Sequence, residues 1–352
     1  MILILVGIIA FVIRQIARRS ARFAELITNS LGYVFRVIGA KISSLLPFSI
    51  AELLIIASPI VLVIIILIAS KKVGKAARMR FLASFLAGVT VFYTVYVFTL
   101  GIGYHRTSLA SRMKLDDVQV TRDNLYSTMM LMQSECEKLL SEIEFDENGS
   151  SVNPISFDET CDEIIKAYGE LDSEYPDLKI KNFDSTAKPV RFSNVMTAFE
   201  ILGVYTFFTG ESNVNVHYPD FTEPFTIAHE LAHQRGISRE NEANFIAFLV
   251  CARSANAYTR YSAYMNMYTY LASALGKTDK DLLRDAYKIL DDRLYGELVA
   301  YSNFCNDNKV ELTAWLSDFF NDNYLKAQGT EGVVSYGLVV RLCISYYSEL
   351  CN

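Results

Sequence analysis

The sequence predicts a mainly α protein in which N-terminal membrane helices precede a largely helical domain with a small β element. Three observations predict it. Apolar residues crowd roughly the first hundred positions, apolar residues recur at helical spacing through most of the remainder, and one short stretch alternates polar and apolar side chains as a half-buried strand does. The chain has 352 residues, 51% of them hydrophobic and 20% charged. That is enough apolar material for a core and a membrane region together.

Residues 2–13 are apolar throughout, and with Ile16, Ala17 and a snorkelling Arg14 they extend to a first span of about 2–17. A signal peptide is the rival reading, but no basic leader and no small-residue cleavage site accompany the run. Residues 51–70 and 82–104 each suit a bilayer core of about 30 Å. The first carries only Glu52, at its edge, and Pro59, which kinks rather than breaks it; the second carries no charge. Lys71, Lys72, Lys75, Arg78 and Arg80 lie between them, and the positive-inside rule puts that loop in the cytoplasm and everything after Tyr104 outside. The cluster Arg14, Arg18, Arg19 and Arg22 argues the other way, and the denser loop outweighs it. Between the first two spans, Phe23, Leu26, Ile27, Leu31, Val34, Phe35 and Ile38 recur at helical spacing. This is a helix that either lies on the bilayer surface or packs on its neighbours. The membrane region is therefore 1–106 and the second domain 107–352.

Past Arg106, amphipathic helices are expected over 125–143 and 161–171, separated by Asn148-Gly149-Ser150-Ser151 and Pro154. Acidic residues outnumber basic ones, most simply as a solvated face. With no phosphate-binding glycine loop and no basic aromatic stripe, nucleic acid is not an expected partner. Tyr258, Tyr261, Tyr264, Tyr268 and Tyr270 read as core or interface material. Six cysteines permit up to three disulfides, with Cys251 reading as a buried thiol.

The most specific pattern is Thr226-Ile227-Ala228-His229-Glu230-Leu231-Ala232-His233, followed by Gly236 and then Glu240-Asn241-Glu242-Ala243-Asn244. On a helix, imidazoles four residues apart share one face and converge on one metal ion. The glutamate beside the first is placed to take a proton from an activated water. Such a pattern also arises by chance. Here an apolar approach (Phe225, Ile227), a glycine able to stop the helix and a second acidic helix agree with a Zn2+ site. A catalytic zinc takes a third protein ligand. Glu240 and Glu242 point about 200° apart on a helix, so only one faces the metal. Glu240 is favoured because its i+4 neighbour is Asn244, an amide able to orient a ligating histidine, whereas that of Glu242 is Ile246. Glu242 stays the alternative.

The run from Gly210-Glu211-Ser212-Asn213-Val214-Asn215 through the histidine helix to Ala243-Asn244-Phe245 resembles the bacterial membrane family catalogued as domain of unknown function 3810. The likeness extends to Leu46-Pro47-Phe48-Ser49, Gly103-Tyr104-His105-Arg106, Tyr324-Leu325-Lys326 and Ser335-Tyr336-Gly337. It implies a gluzincin-like zinc peptidase with a zincin-like domain and no named substrate. In Ste-type membrane proteases, which have a similar Glu-x-x-Ala helix, the first glutamate is the ligand, matching Glu240; the gap from His233 is shorter here.

These readings combine into an expected membrane-anchored, multi-pass zinc metallopeptidase with an extracytoplasmic domain, a peptide or protein substrate, and Glu230 as general base. The strand 212–218 is the expected edge on which an extended peptide pairs, through Asn213, Val214 and Asn215. Tyr336, or Tyr324, is the candidate oxyanion donor, and His217 a rim or structural histidine. The alternative is a non-catalytic membrane binding or signalling protein retaining a structural zinc. Intact Glu230 speaks against it, because a structural site needs no base. A transporter has only Glu52 as a charge near a span.

Overall fold

The computed structural model describes residues 2–70, 74–315, 317 and 335–350. It is mainly helical. Helix α1 (Ile2–Ala17) ends before Ser20, whose hydroxyl accepts from Phe23 N–H and so starts α2 (Ala21–Ile27). A π-helical turn at Thr28–Gly32 joins α2 to α3 (Tyr33–Ser43). Two helices are long and apolar enough to cross a membrane: α4 (Ile50–Ser70) and α5 (Lys75–Tyr96), the latter continued by helical turns to His105. Lys75, Arg78 and Arg80 are the first turns of α5 rather than loop. Helices α1 and α5 run side by side in the same direction, Gly7 against Thr90 and Arg14 over the Tyr96 ring.

After the short α6 (Leu109–Met113), two helices open with reciprocal caps. Thr121 and Asn124 cap α7 (Arg122–Leu139), and Ser156 and Glu159 cap α8 (Phe157–Glu174). A two-residue hairpin, β1 (Glu144–Phe145) with β2 (Ser151–Val152), lies between them. The rest is β3 (Lys188–Pro189), α9 (Ser193–Ala198), β4 (Gly203–Thr206), β5 (Glu211–Val214), α10 (Thr222–Gln234), α11 (Glu240–Cys251), α12 (Ala257–Thr278), α13 (Lys280–Tyr287), α14 (Asp292–Asn308) and α15 (Ser335–Leu350). The core forms where α10 and α11 pack on α8 and α12, with α15 against α11 and α12, and α7 against α12 and α15. Residues Phe245–Cys251 of α11 are buried on every side, as their unbroken apolar run requires. Tyr258, Tyr261 and Tyr268 are buried in this core, with Tyr264 and Tyr270 at its edge.

The order of the second sheet is β3-β5-β4. β3 pairs β5 in parallel, Pro189 opposite Val214, and β4 pairs β5 antiparallel, Gly203 opposite Val214. Strand β5 is therefore central, which corrects the expectation that 212–218 is a free edge. The strand ends at Val214, and its amides work inside the fold. Asn213 Nδ2 donates to Thr206 Oγ1 at 3.0 Å, and Asn215 Nδ2 donates to the Ile201 carbonyl at 2.9 Å.

The permitted disulfides are also corrected. Cys136, Cys161, Cys251, Cys305 and Cys343 are free, four of them buried, and Cys351 lies outside the described residues. The Cys251 thiol is spent on the Pro224 carbonyl.

The apolar helices at the front of the chain and the second sheet meet through buried polar contacts. Glu211 accepts from the N–H groups of Ile50 and Ala51, at 2.9 and 2.8 Å, capping α4 across the junction. Lys188 Nζ neutralises it at 2.8 Å and also donates to the Ser43 and Phe48 carbonyls. Glu52 in turn accepts from Arg191 and Phe192 N–H. Gly210, at φ +75°, allows α3 to approach so closely that a Cβ there would lie 2.7 Å from the backbone of Gly39 and Ala40.

Candidate metal centre

The site is built by two helices and the loop between them. Helix α10 ends at Gln234, and Gly236, at φ +97°, turns the chain back, as the sequence predicts. A Cβ on Gly236 would meet the Arg36 guanidinium at 2.6 Å. Ser238 Oγ donates to the Leu100 carbonyl at 2.8 Å, Arg106 Nη1 to the Gly236 carbonyl at 2.9 Å, and Arg239 Nη2 to the Tyr104 and Arg106 carbonyls, each at 2.9 Å. The end of the α5 run thus fixes the turn that brings α11 back beside α10.

That turn delivers Glu240 to the histidines. Oε2 of Glu240 lies 3.2 Å from His229 Nε2 and 3.4 Å from His233 Nε2, and the two Nε2 atoms are 3.1 Å apart. His229, His233 and Glu240 are the cluster of possible metal ligands among the described residues, their ligand atoms within 4.8 Å of one another. His233 Nδ1 lies 2.7 Å from the Ile237 carbonyl. That contact keeps a proton on Nδ1, so Nε2 is the nitrogen whose lone pair a metal would take. Glu240 is 32% exposed, so the cluster has an open side. Two neutral imidazoles and one carboxylate are a zinc donor set, and the residues fit that ion.

Electrostatics agree with the geometry. Burial pushes the Glu240 carboxyl up, but the His233 and His229 imidazoles outweigh it and hold the group far below the carboxylate range. Burial opposes charge on His233, yet Glu240 raises it to about 9. Negative charge is concentrated where a cation would sit.

Glu230 is buried beside the cluster under β4. Burial raises its pKa, and the two histidines only partly offset that. A Cβ on Gly203 would lie 2.6 Å from its Oε1, so only glycine lets the strand pass so close. Its Oε2 is buried with no hydrogen-bond partner among the described residues, and the Ser212 hydroxyl donates to its backbone carbonyl at 3.0 Å. Leu202 accepts from Asn215 N–H on the β5 side. By alternation, the backbone groups of Gly203 and Tyr205 face outward, and the Tyr205 N–H is directed at the Glu230 carboxylate. Among the described residues, the free edge beside the cluster is that of β4.

The other expected residues divide. Glu242, the alternative ligand, points away; it accepts from Leu109 N–H at 2.9 Å and pairs with Arg239 at 2.7 Å and Arg112 at 3.4 Å. Asn244 is buried on α11, but no hydrogen bond joins it to either histidine among the described residues; the Ile237 carbonyl does that work. His217 lies apart, its Nδ1 3.2 Å from Thr197 Oγ1 and its ring against Phe304. Tyr324 and the Tyr336 side chain lie outside the described residues. Sequence reasoning missed Gly203 and Tyr205, although Val204-Tyr205-Thr206-Phe207 is rich in strand-forming residues and follows a glycine.

These features define a class: a mainly helical protein with apolar helices at its front and a His-Glu-His cluster held against the ends of those helices. The chain belongs to the family described as protein of unknown function (DUF3810), whose model matches residues 28–344. No curated protein and no solved structure matches it.

Proposed function

We propose that the chain is a membrane-anchored zinc metallopeptidase whose ion is held by His229, His233 and Glu240. The observation that carries this is the convergence of those three ligand atoms beside a buried Glu230, one of whose oxygens has no partner among the described residues. When bound, zinc would supply the Lewis acidity that polarises a peptide carbonyl and acidifies water. Glu230 takes the proton from the attacking water and returns it to the leaving amine; burial raises its pKa and so favours its holding that proton between the two transfers. The outward N–H and C=O groups of Gly203 and the C=O group of Tyr205 hold an extended peptide by edge pairing. His233 keeps its orientation throughout through the Ile237 carbonyl.

Three helices, α1, α4 and α5, anchor the enzyme. α1 and α5 run parallel and α4 begins at the domain, so Lys75, Arg78 and Arg80 lie at the end of α5 away from it. The positive-inside rule then puts the catalytic domain on the extracytoplasmic side.

The test is hydrolysis of a quenched-fluorescent peptide library by zinc-loaded protein in detergent, with Glu230→Gln as control. The expected outcome is one zinc per chain in both proteins, and a loss of at least about 100-fold in turnover for Glu230→Gln. Equal behaviour of the two, with zinc bound, would instead mark a non-catalytic structural zinc site.

A further inference from the structure

The metal centre stands beside the surface that lipid would cover, and two independent features mark that surface. The first is the connection α2–α3. Leu26, Leu31, Val34, Ile38, Ile42 and Leu45 form one outward stripe, 45 to 80% exposed. The opposite face holds Gly32, Arg36, Ala40 and Ser43, all buried, and Gly39 packs on Gly210. Arg19, Arg22 and Lys41 are exposed along the helix, cations suited to phospholipid headgroups. The stripe is continuous in the chain with α1 and α4 at its two ends, which makes lipid its natural cover.

The second feature is the turn between β4 and β5. Phe207 packs on Phe92 and Tyr96 of α5, with ring centroids 4.8 and 5.4 Å apart, and Phe208 packs on Phe92 at 5.5 Å. Both partners lie inside the stretch of α5 that is apolar enough to span. Phe208 remains 39% exposed there, and Phe192, tied to the first turn of α4 through Glu52, is 57% exposed.

The free edge of β4 connects the two places. It starts at Gly203, against the Glu230 carboxylate, and ends at Phe207 and Phe208, against α5. Four to five residues at about 3.3 Å each make this roughly 15 Å. A polypeptide paired along that edge runs from the lipid boundary to the metal ligands.

We propose that the substrate is a membrane-anchored polypeptide, laid in extended form along β4 and cut within about five residues of its own spanning segment. This deepens the peptidase reading and rests on it. The chemistry is ordinary hydrolysis: the peptide C–N bond breaks, water adds hydroxyl to the carbonyl carbon, and its proton passes by Glu230 to the amine.

The test uses full-length protein co-reconstituted in phosphatidylcholine–phosphatidylglycerol vesicles with a model substrate. That substrate has one spanning helix and an unstructured tail, and the same tail is also supplied as a free peptide. A photoreactive benzophenone side chain replaces Val204 in the Glu230→Gln background, so that capture is read without turnover. Expected is crosslinking to tail positions within about five residues of the span, at least about tenfold above the free tail at matched concentration. In a second reading, Phe208→Trp with Trp315→Phe should be quenched by lipids brominated near the headgroup end of their chains.

Capture of the free tail as efficiently as the anchored one overturns this proposal and leaves the peptidase reading standing. So does an unquenched Phe208→Trp, or capture far from the span. If zinc-loaded wild-type protein cleaves neither form, the peptidase reading itself fails and carries this one with it.

Discussion

At the scale of single residues, Glu240 and Glu242 show how two neighbouring carboxylates take opposite roles. Both were candidates because both open α11, and helical geometry says that only one can face the histidines. Glu240→Ala should abolish zinc binding and leave the fold intact. Glu242→Ala should keep zinc but destabilise the protein by about 3 kcal/mol, because Arg112 and Arg239 lose a buried partner. Metal analysis beside thermal unfolding separates the two. Asn244 was chosen by the same helical reasoning and does not reach the histidines. Sequence could not reveal that a backbone carbonyl, Ile237, takes that part, because every residue has one.

Glu223, on the first turn of α10, yields a prediction with a pH sign. Burial raises its carboxyl to about 7, Asp220 adds to this, and the hydrogen bond from Asn153 only partly offsets it. An acid raised on folding costs stability as pH climbs from the unfolded value, 4.5, through about 7, and the cost is constant above that. Glu223→Gln should therefore stabilise the protein by up to about 3 kcal/mol at pH 8 and by little near pH 4.5. Denaturant unfolding at the two pH values checks it; equal effects at both would dismiss the ionisation account.

At the scale of elements, the junction between α4 and the sheet is the clearest dependency. Glu211 caps the first turn of an apolar helix long enough to cross a membrane while lying on the central strand of a sheet, with no side-chain exposure and the Lys188 ammonium beside it. Glu211→Ala leaves two N–H groups and a buried ammonium unpaired. It should cost about 3 to 5 kcal/mol and open the junction to protease in detergent. Glu211→Gln, which keeps a hydrogen-bond acceptor, should lose less.

The helices that meet here were legible in sequence, since length and composition suffice to mark a span. The strand was legible as a strand but not as a central one. Alternation reports which face of a strand is buried, whereas its neighbours are chosen by segments far away in the chain.

At the scale of the whole molecule, the proposed topology ties the domain to one side of the bilayer. Lys75→Cys and Asp123→Cys, in a background whose accessible cysteines are replaced by serine, should label differently in intact cells. A membrane-impermeant maleimide should reach position 123 and not position 75. The reverse pattern would invert the topology and move the centre to the cytoplasmic face.

The free cysteines belong to this scale as well. An even count suggested pairing, yet Cys136, Cys161, Cys251 and Cys343 are buried as free thiols and serve as small apolar side chains.

The sequence by itself determined the helical class, the apolar front of the chain and the spacing of His229, Glu230 and His233. Each is a property of periodicity or composition within about twenty consecutive residues. Only the tertiary structure decided that Glu240 closes the ligand cluster, that β4 is the edge strand beside it, and that Gly203 passes over Glu230. Those relations join segments that come together because the loop Gly236–Arg239 is held by Arg36, Leu100, Tyr104 and Arg106. Contacts of that range are set by packing and leave no local pattern to read.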